Sequence, residues 1–84
     1  MSKKYKLDVF VRQEVELSVN EYVGKRILQL RKEKFWNQEE LSKRTKISRS
    51  SISNIEIGRH ALTMANLEVF CSVFGVKSKE LLPF

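Results

Sequence analysis

The stretch that decides the fold runs from Asn37 to Gly58 and reads NQEELSKRTKISRSSISNIEIG. Asn37 and Ser48 have side-chain oxygens that can accept a hydrogen bond from an unpaired backbone N–H, so both are typical of helix starts. Ile52 and Ile55 then follow at a spacing that places them on one helix face. The stretch predicts two short helices, at 38–45 and 49–57, joined by a tight turn at residues 46–48.

The same start signals occur on either side of this stretch. Ser18 with Glu21 three residues later predicts a helix at 19–34, and Thr63 predicts one at 64–74 that Gly75 can close in the left-handed conformation. Ser78 and Pro83 predict a last short helix at 79–82. Residues 18–84 are therefore expected to form one compact, all-α, five-helix domain.

Residues 1–17 follow a different pattern, with apolar side chains on odd positions and mostly charged ones between them. This period of two predicts a half-buried strand. The segment has no Gly, Pro or Asn for a tight hairpin turn, and a lone strand leaves its backbone groups unpaired. We therefore predict an N-terminal β-strand arm that pairs with the same strand of a second subunit; a helical arm is the alternative. The arm, the terminal short helix or both could form the dimer interface. The odd apolar positions are Tyr5, Leu7, Val9, Val11, Val15, Leu17 and Val19.

Charge and composition narrow the function. The net charge is +6, and residues 21–59 hold ten Lys or Arg against five Asp or Glu, which suggests a polyanion-binding face. A merely solvated basic surface is the alternative. No apolar run is long enough to cross a membrane or to act as a signal peptide. One cysteine and one histidine make neither a disulfide nor a zinc site. We expect a cytoplasmic protein that needs no cofactor or metal.

An enzyme is not expected either. The sequence shows no cluster of His, Cys, Asp or Glu at metal-ligand spacing, no glycine-rich phosphate loop, and no nucleophile with a nearby base. By contrast, two short helices around a tight turn, inside an all-helical bundle, have the geometry of a helix-turn-helix that reads DNA.

The residues also resemble a known family. The resemblance lies in Val23-Gly24-Lys25-Arg26-Ile27, Leu30-Arg31, Asn37-Gln38-Glu39-Glu40-Leu41-Ser42, Ile47 to Glu56, Gly58-Arg59, Leu67, Phe70 and Phe74-Gly75-Val76 to Leu82. These stretches look like the lambda-repressor-like (Cro/XRE) helix-turn-helix family. The N-terminal arm lies outside the resemblance. The resemblance implies that the helix at 49–57 is the recognition helix.

Chemistry supports a set of base-reading residues on that helix. With Ile52 and Ile55 packed inward, a polar stripe faces out and can enter the major groove of double-stranded DNA. Its arginine can form a bidentate pair with guanine, and its asparagine one with adenine. A merely solvated polar face is the alternative. The predicted base-reading residues are Arg49, Ser50, Ser53 and Asn54.

Further residues are candidates for phosphate contacts, either as cations or at the start of the second helix, where backbone N–H groups favour a phosphate oxygen. The predicted phosphate-binding residues are Asn37, Gln38, Lys43, Arg44, Lys46 and Arg59. Capping is the alternative role of Asn37. The resemblance implies that Arg31 and Glu56 form a structural ion pair between the first and third helices.

Three positions depart from the family pattern. Lys46 occupies a turn position that is usually glycine, so the turn is expected to differ slightly. Ile57 occupies a position that is commonly polar; packing against Trp36 or His60 is expected, and contact with a thymine methyl is the alternative. Ala61-Leu62 replaces a common proline. Cys71 is expected in the core.

The predicted function is a sequence-specific transcriptional regulator that binds a double-stranded DNA operator as a homodimer, with two recognition helices in successive major grooves. The alternative is a protein-interaction module such as an antitoxin, with a protein partner and DNA binding secondary.

Overall fold

The structure is a computed structural model that describes residues 3–9 and 13–84. Two strands, β1 (Tyr5–Val9) and β2 (Gln13–Leu17), precede four α-helices and a single 3₁₀ turn at Ser78–Glu80. The helices are α1 (Val19–Glu33), α2 (Gln38–Thr45), α3 (Arg49–Glu56) and α4 (Met64–Phe74). The predicted bounds of α2 and α4 are therefore the observed ones, and those of α1 and α3 differ by one residue.

The prediction of a fifth α-helix at 79–82 is wrong. The segment forms only the 3₁₀ turn, in which Glu80 N donates to Lys77 O and Leu81 N to Ser78 O, each at 2.9 Å. Leu82 N also reaches Ser78 O at 3.0 Å. Pro83 has no N–H to continue this ladder, so the hydrogen bonds stop after one turn.

The prediction of a single N-terminal strand is also wrong. β1 and β2 form an antiparallel hairpin within the chain, with Tyr5 opposite Leu17, Leu7 opposite Val15 and Val9 opposite Gln13. Odd residues pair with odd residues in this register, so two strands share one unbroken alternation of apolar and charged positions. Residues 10–12, in which the sequence shows no turn signal, lie outside the described residues.

Helix starts are made by the residues that the sequence predicted. Ser18 and Glu21 form a complete capping box, with Glu21 N donating to Ser18 Oγ and Ser18 N donating to Glu21 Oε1. That carboxylate has its pKa lowered, chiefly by the hydrogen bond from the Ser18 backbone and then by the Ser18 hydroxyl. Asn37, Ser48 and Thr63 cap α2, α3 and α4 by accepting from the backbone N–H three residues later, and Gly75 ends α4 at φ 69°.

The four helices enclose a single apolar core in the described part of the chain. Its fully buried side chains come from every helix and from the C-terminal turn, so the turn completes the core although it is not an α-helix. Those five are Ile27, Leu41, Ile52, Phe70 and Leu81.

The hairpin lies against α1 and the C-terminus through aromatic contacts. The Tyr5 ring meets the Tyr22 ring edge-on at 6.4 Å between centroids and lies 6.2 Å from the Phe84 ring. The hairpin thus packs on the helical body through Tyr5, the first residue of β1. None of the described helices is both long and apolar enough to pass through a membrane.

Candidate nucleic-acid interface

Helix α3 divides its residues between the core and the surface. Ile52 is fully buried and Ile55 is 4% exposed. On the other side of the helix, Arg49 and Ser50 are exposed, and Ser53 and Asn54 are half-buried. The structure thus brings these four predicted base-reading residues together on one outward face of α3, which we call the recognition stripe. In the described part of the chain, no hydrogen bond engages the side-chain amide of Asn54.

The turn between α2 and α3 is held by side chains that the sequence analysis did not single out. The buried Thr45 hydroxyl donates to Leu41 O at 2.8 Å and accepts from Ile47 N at 3.1 Å. Ser42 Oγ donates to Ile47 O at 2.6 Å. These three bonds fix the direction in which the chain enters α3. In the sequence, the only indication of these bonds is a hydroxyl residue at each end of the last turn of α2, Ser42 and Thr45.

The expected change in this turn is not observed. Lys46 adopts the left-handed conformation itself, at φ 63° and ψ 17°. A non-glycine residue in this region costs about 1–2 kcal/mol. The bonds of Thr45 and Ser42 hold the conformation, and the Lys46 side chain is left exposed beside the start of α3.

A buried polar network ties α3 to the rest of the domain. Glu56 accepts hydrogen bonds from Arg31 Nε at 2.7 Å, Arg31 Nη2 at 3.1 Å and Gln38 Nε2 at 2.9 Å. Arg31 Nη1 donates to Trp36 O at 2.9 Å. The Arg31 and Glu56 side chains are only 10% and 4% exposed. Helices α1 and α2 therefore both fix the position of α3 through one carboxylate.

Helices α1 and α3 also approach each other very closely at Gly24. A Cβ atom there would collide with the carbonyl oxygens of Ile55 and Glu56. Only glycine permits this packing, which sets the distance from α1 to the recognition stripe.

The predicted phosphate-binding residues differ in their exposure and in the hydrogen bonds that their side chains make within the domain. Lys43, Lys46 and Arg59 are exposed. Gln38 Nε2 donates to Glu56 Oε1. Asn37 Oδ1 accepts from Glu40 N at 2.8 Å, so capping is an observed role of that side chain.

Arg44 is also held in place. Its Nε lies 2.9 Å from Glu40 Oε2, and its guanidinium carbon lies 4.1 Å from the centroid of the Trp36 ring. The Trp36 ring in turn stacks on Phe74 at 6.0 Å between centroids. Arg44 therefore presents its charge from one fixed place on the surface.

Sequence reasoning missed Glu39 as a neighbour of the recognition stripe. Its Oε1 lies 3.5 Å from Arg49 Nη1, in a pair whose side chains are 67% and 64% exposed. Such exposed pairs contribute little stability. The contact places the Glu39 carboxylate beside Arg49 at the start of α3.

The Ile57 side chain is 58% exposed, and it is not among the side chains packed against the core. His60 is exposed as well. Cys71 is half-buried and packs against the core, and burial, followed by the charge of Glu80, raises the pKa of its thiol. No three His, Cys, Asp or Glu side chains of the described residues lie together as a metal ion would require.

Comparison with known proteins gives one family match. The family described as "Helix-turn-helix domain" matches residues 24–83. No curated protein matches the sequence. The N-terminal hairpin lies outside the matched range, as does the start of α1.

Several solved structures have a similar fold. The wild-type restriction-modification controller protein C.Esp1396I is 31% identical, with a TM-score of 0.64 over 69% of this chain and 74% of that chain. The hypothetical transcription factor NHTF from Neisseria is 27% identical, with a TM-score of 0.72 over 79% and 77%. The controller protein C.AhdI from Aeromonas hydrophila, at 24% identity, has a TM-score of 0.71 over 75% and 96%.

Proposed function

The chain belongs to the lambda-repressor-like (XRE) helix-turn-helix domain family, and on that premise we propose that it is a sequence-specific transcriptional regulator. It inserts α3 into the major groove of double-stranded DNA and binds its operator as a homodimer. The controller proteins and the transcription factor with similar structures support a regulatory role.

The single observation that carries the proposal is the combination of an outward polar stripe and a fixed helix. The stripe on α3 faces away from the core that buries Ile52 and Ile55. The Arg31, Glu56 and Gln38 network holds α3 against α1 and α2. A polar helix face that is held rigidly and leads with an arginine suits base reading, because hydrogen bonds to base edges require fixed geometry.

Each side chain of the stripe has a chemical role in this proposal. Arg49 forms two hydrogen bonds with O6 and N7 of a guanine, and Asn54 forms two with N6 and N7 of an adenine. Each such pair is worth about 1–3 kcal/mol of discrimination against the wrong base. Ser50 and Ser53 donate to base edges or to neighbouring phosphates. The exposed pair with Glu39 is weak, so Arg49 can exchange it for a base.

Phosphate contacts position the stripe. Lys43, Lys46 and Arg59 supply exposed cations around α3, and Arg44 supplies one that Glu40 and Trp36 hold in place. Asn37 and Gln38 lie at the N-terminus of α2, where the helix dipole favours an anion. Asn37 would donate from Nδ2, since Oδ1 is the capping atom.

The hairpin supplies the dimer interface in this proposal, through the edge of β1. Two β1 strands that pair antiparallel about Leu7 place Lys6 of each strand beside Asp8 of the other, which gives two opposite-charge pairs. Pairing two β2 strands about Val15 instead places Glu14 beside Glu16 twice, and like charges in this position are destabilising. Within the hairpin, odd positions of β1 pair with odd positions of β2.

The oligomeric state of two charge variants tests this interface. Asp8→Lys turns both opposite-charge pairs into like-charge pairs, so we expect the dimer dissociation constant to rise roughly tenfold or more by analytical ultracentrifugation. Asp8 lies opposite Glu14 within the hairpin, so the variant does not weaken the hairpin itself. Glu14→Lys, the matched control on β2, keeps the dimer. If Glu14→Lys weakens the dimer and Asp8→Lys does not, the interface does not lie at the edge of β1.

Selection of tight-binding sequences from a random double-stranded DNA library tests the proposed function. We expect a two-fold-symmetric site whose half-sites lie about 10–10.5 base pairs apart, because two recognition helices enter successive major grooves. We also expect a steep fall of affinity with salt, which counts the phosphate contacts. Weak binding without any preferred sequence would contradict the proposal.

Phe35 favours a second candidate function, a protein-interaction module such as an antitoxin. This side chain is 95% exposed and its backbone adopts the left-handed conformation, at φ 60°. An exposed aromatic side chain on a strained backbone can be buried against an apolar surface of a partner. A stoichiometric protein partner in native mass spectrometry, lost in Phe35→Ser, would support this function, and a clean homodimer would oppose it.

A further inference from the structure

Ile57 lies at the C-terminal end of the recognition stripe. It is the residue that ends α3, and its N–H still donates to Ser53 O at 3.2 Å, as in the helix. Because successive helical residues turn by about 100°, Ile57 points within about 10° of the mean direction of the four predicted base-reading residues. It therefore continues their stripe by one more helical turn.

The chemistry of Ile57 differs from that of the rest of the stripe. Its side chain is 58% exposed, although the core buries both other isoleucines of α3. An isoleucine has no hydrogen-bonding group, so it cannot satisfy a phosphate oxygen or a polar base edge. Each such contact would strip water from the DNA group and return no hydrogen bond.

The major groove offers one apolar group to such a side chain. That group is the 5-methyl of thymine, and the other base edges present donors and acceptors. We infer that Ile57 is a specificity-determining residue that packs on a thymine methyl of the operator, at the base pair facing the C-terminal end of α3. The inference rests on the proposed function, because it requires α3 to lie in the major groove.

The expected contribution can be worked from the size of the contact. Removing one methyl from a buried apolar contact costs about as much as one methylene, which corresponds to roughly a fourfold change in affinity. The symmetric site would contain one such thymine in each half-site. This thymine would lie outside the base pairs that Arg49 and Asn54 read.

Replacing thymine with deoxyuridine, which lacks only the methyl group, tests the contact directly. The selected operator is synthesised with one thymine replaced at a time, and the dissociation constant is measured for wild type and Ile57→Ala. We expect one position in each half-site at which the wild type loses roughly fourfold in affinity. Ile57→Ala should lose affinity for the thymine operator and show no response to deoxyuridine at that position.

A matched control separates this contact from general loss of apolar surface. Met64 is 73% exposed and belongs to α4, outside the stripe, so Met64→Ala should keep the full response to deoxyuridine. Melting temperatures should be equal for both variants, since each removes an exposed side chain.

The outcomes distinguish this inference from the function on which it rests. If no deoxyuridine position matters while the selected site and its dependence on Asn54 persist, the Ile57 contact is overturned and the proposed function stands. A response that survives in Ile57→Ala assigns the methyl contact to another residue and also overturns it. If no site is selected at all, both fail together.

Discussion

Replacement of Glu56 by glutamine tests how far the buried network supports the fold. The substitution keeps the size of the side chain and removes its charge, so no cavity forms. It leaves the Arg31 guanidinium, whose side chain is 10% exposed, without a carboxylate partner, and the amide offers one acceptor oxygen where the carboxylate offered two. Breaking a buried ion pair by neutralising one partner typically costs about 3–5 kcal/mol. A domain of this size has a free energy of unfolding of about 5–15 kcal/mol, so the loss should be large.

Urea unfolding followed by circular dichroism measures this loss. With an m-value of about 1 kcal/mol per molar, the midpoint should fall by roughly 3–5 M, or the domain should be unfolded in water. Glu40→Gln is the matched control, because it removes the charge from the exposed pair with Arg44, whose side chains are 39% and 47% exposed. That change should cost less than about 1 kcal/mol.

The double variant Arg31→Met with Glu56→Gln removes both charges and should recover most of the stability. Equal, small losses for Glu56→Gln and Glu40→Gln would refute the reasoning, since the network would then be no stronger than a surface pair. A double variant no more stable than Glu56→Gln alone would show that the loss does not come from a stranded charge.

Three further changes have defined outcomes. Lys46→Gly relieves the left-handed backbone at φ 63° and should raise the free energy of unfolding by up to about 1 kcal/mol, measured by thermal melting, whereas destabilisation would contradict the strain. Gly24→Ala should destabilise by about 1–3 kcal/mol and weaken operator binding, because its Cβ collides with backbone of α3. The control Gly75→Ala, with open space at its Cβ, should lose stability but not affinity. The lowered pKa of Glu21 predicts that wild type exceeds Glu21→Gln in stability above the ordinary glutamate pKa of about 4.3, and that the difference disappears as pH falls below the lowered pKa. A difference that persists in acid would exclude the charge of Glu21 as its cause.

Much of the helical body was predictable because its signals are local. A hydrogen-bonding side chain before each helix marks its start, and apolar residues at helical spacing mark its buried face. The bounds of α2 and α4 came directly from these signals. Arg31 and Glu56 were paired by family resemblance, and the structure adds their bidentate geometry and the contribution of Gln38.

The errors arose where a local pattern has two structural solutions. One alternation of apolar residues fits a long strand or a hairpin whose register pairs odd with odd positions, and only the pairing in space separates them. An apolar residue at a helix end, such as Ile57, fits packing or exposure equally well, and only the structure shows that its side chain is 58% exposed. The strain at Lys46 was anticipated, but Thr45 and Ser42, which hold the turn, could not be recognised without their partners.

The most direct test of the central claim compares two variants on two DNA molecules. Dissociation constants are measured for wild type, Asn54→Ala and Lys43→Ala, each on the selected operator and on a scrambled duplex at the same salt concentration. If α3 reads bases, Asn54→Ala loses about 1–3 kcal/mol on the operator and nothing on the scrambled duplex. Lys43→Ala, which removes a phosphate contact, weakens both equally. Equal losses on the two duplexes for Asn54→Ala would contradict the claim that this helix carries the specificity.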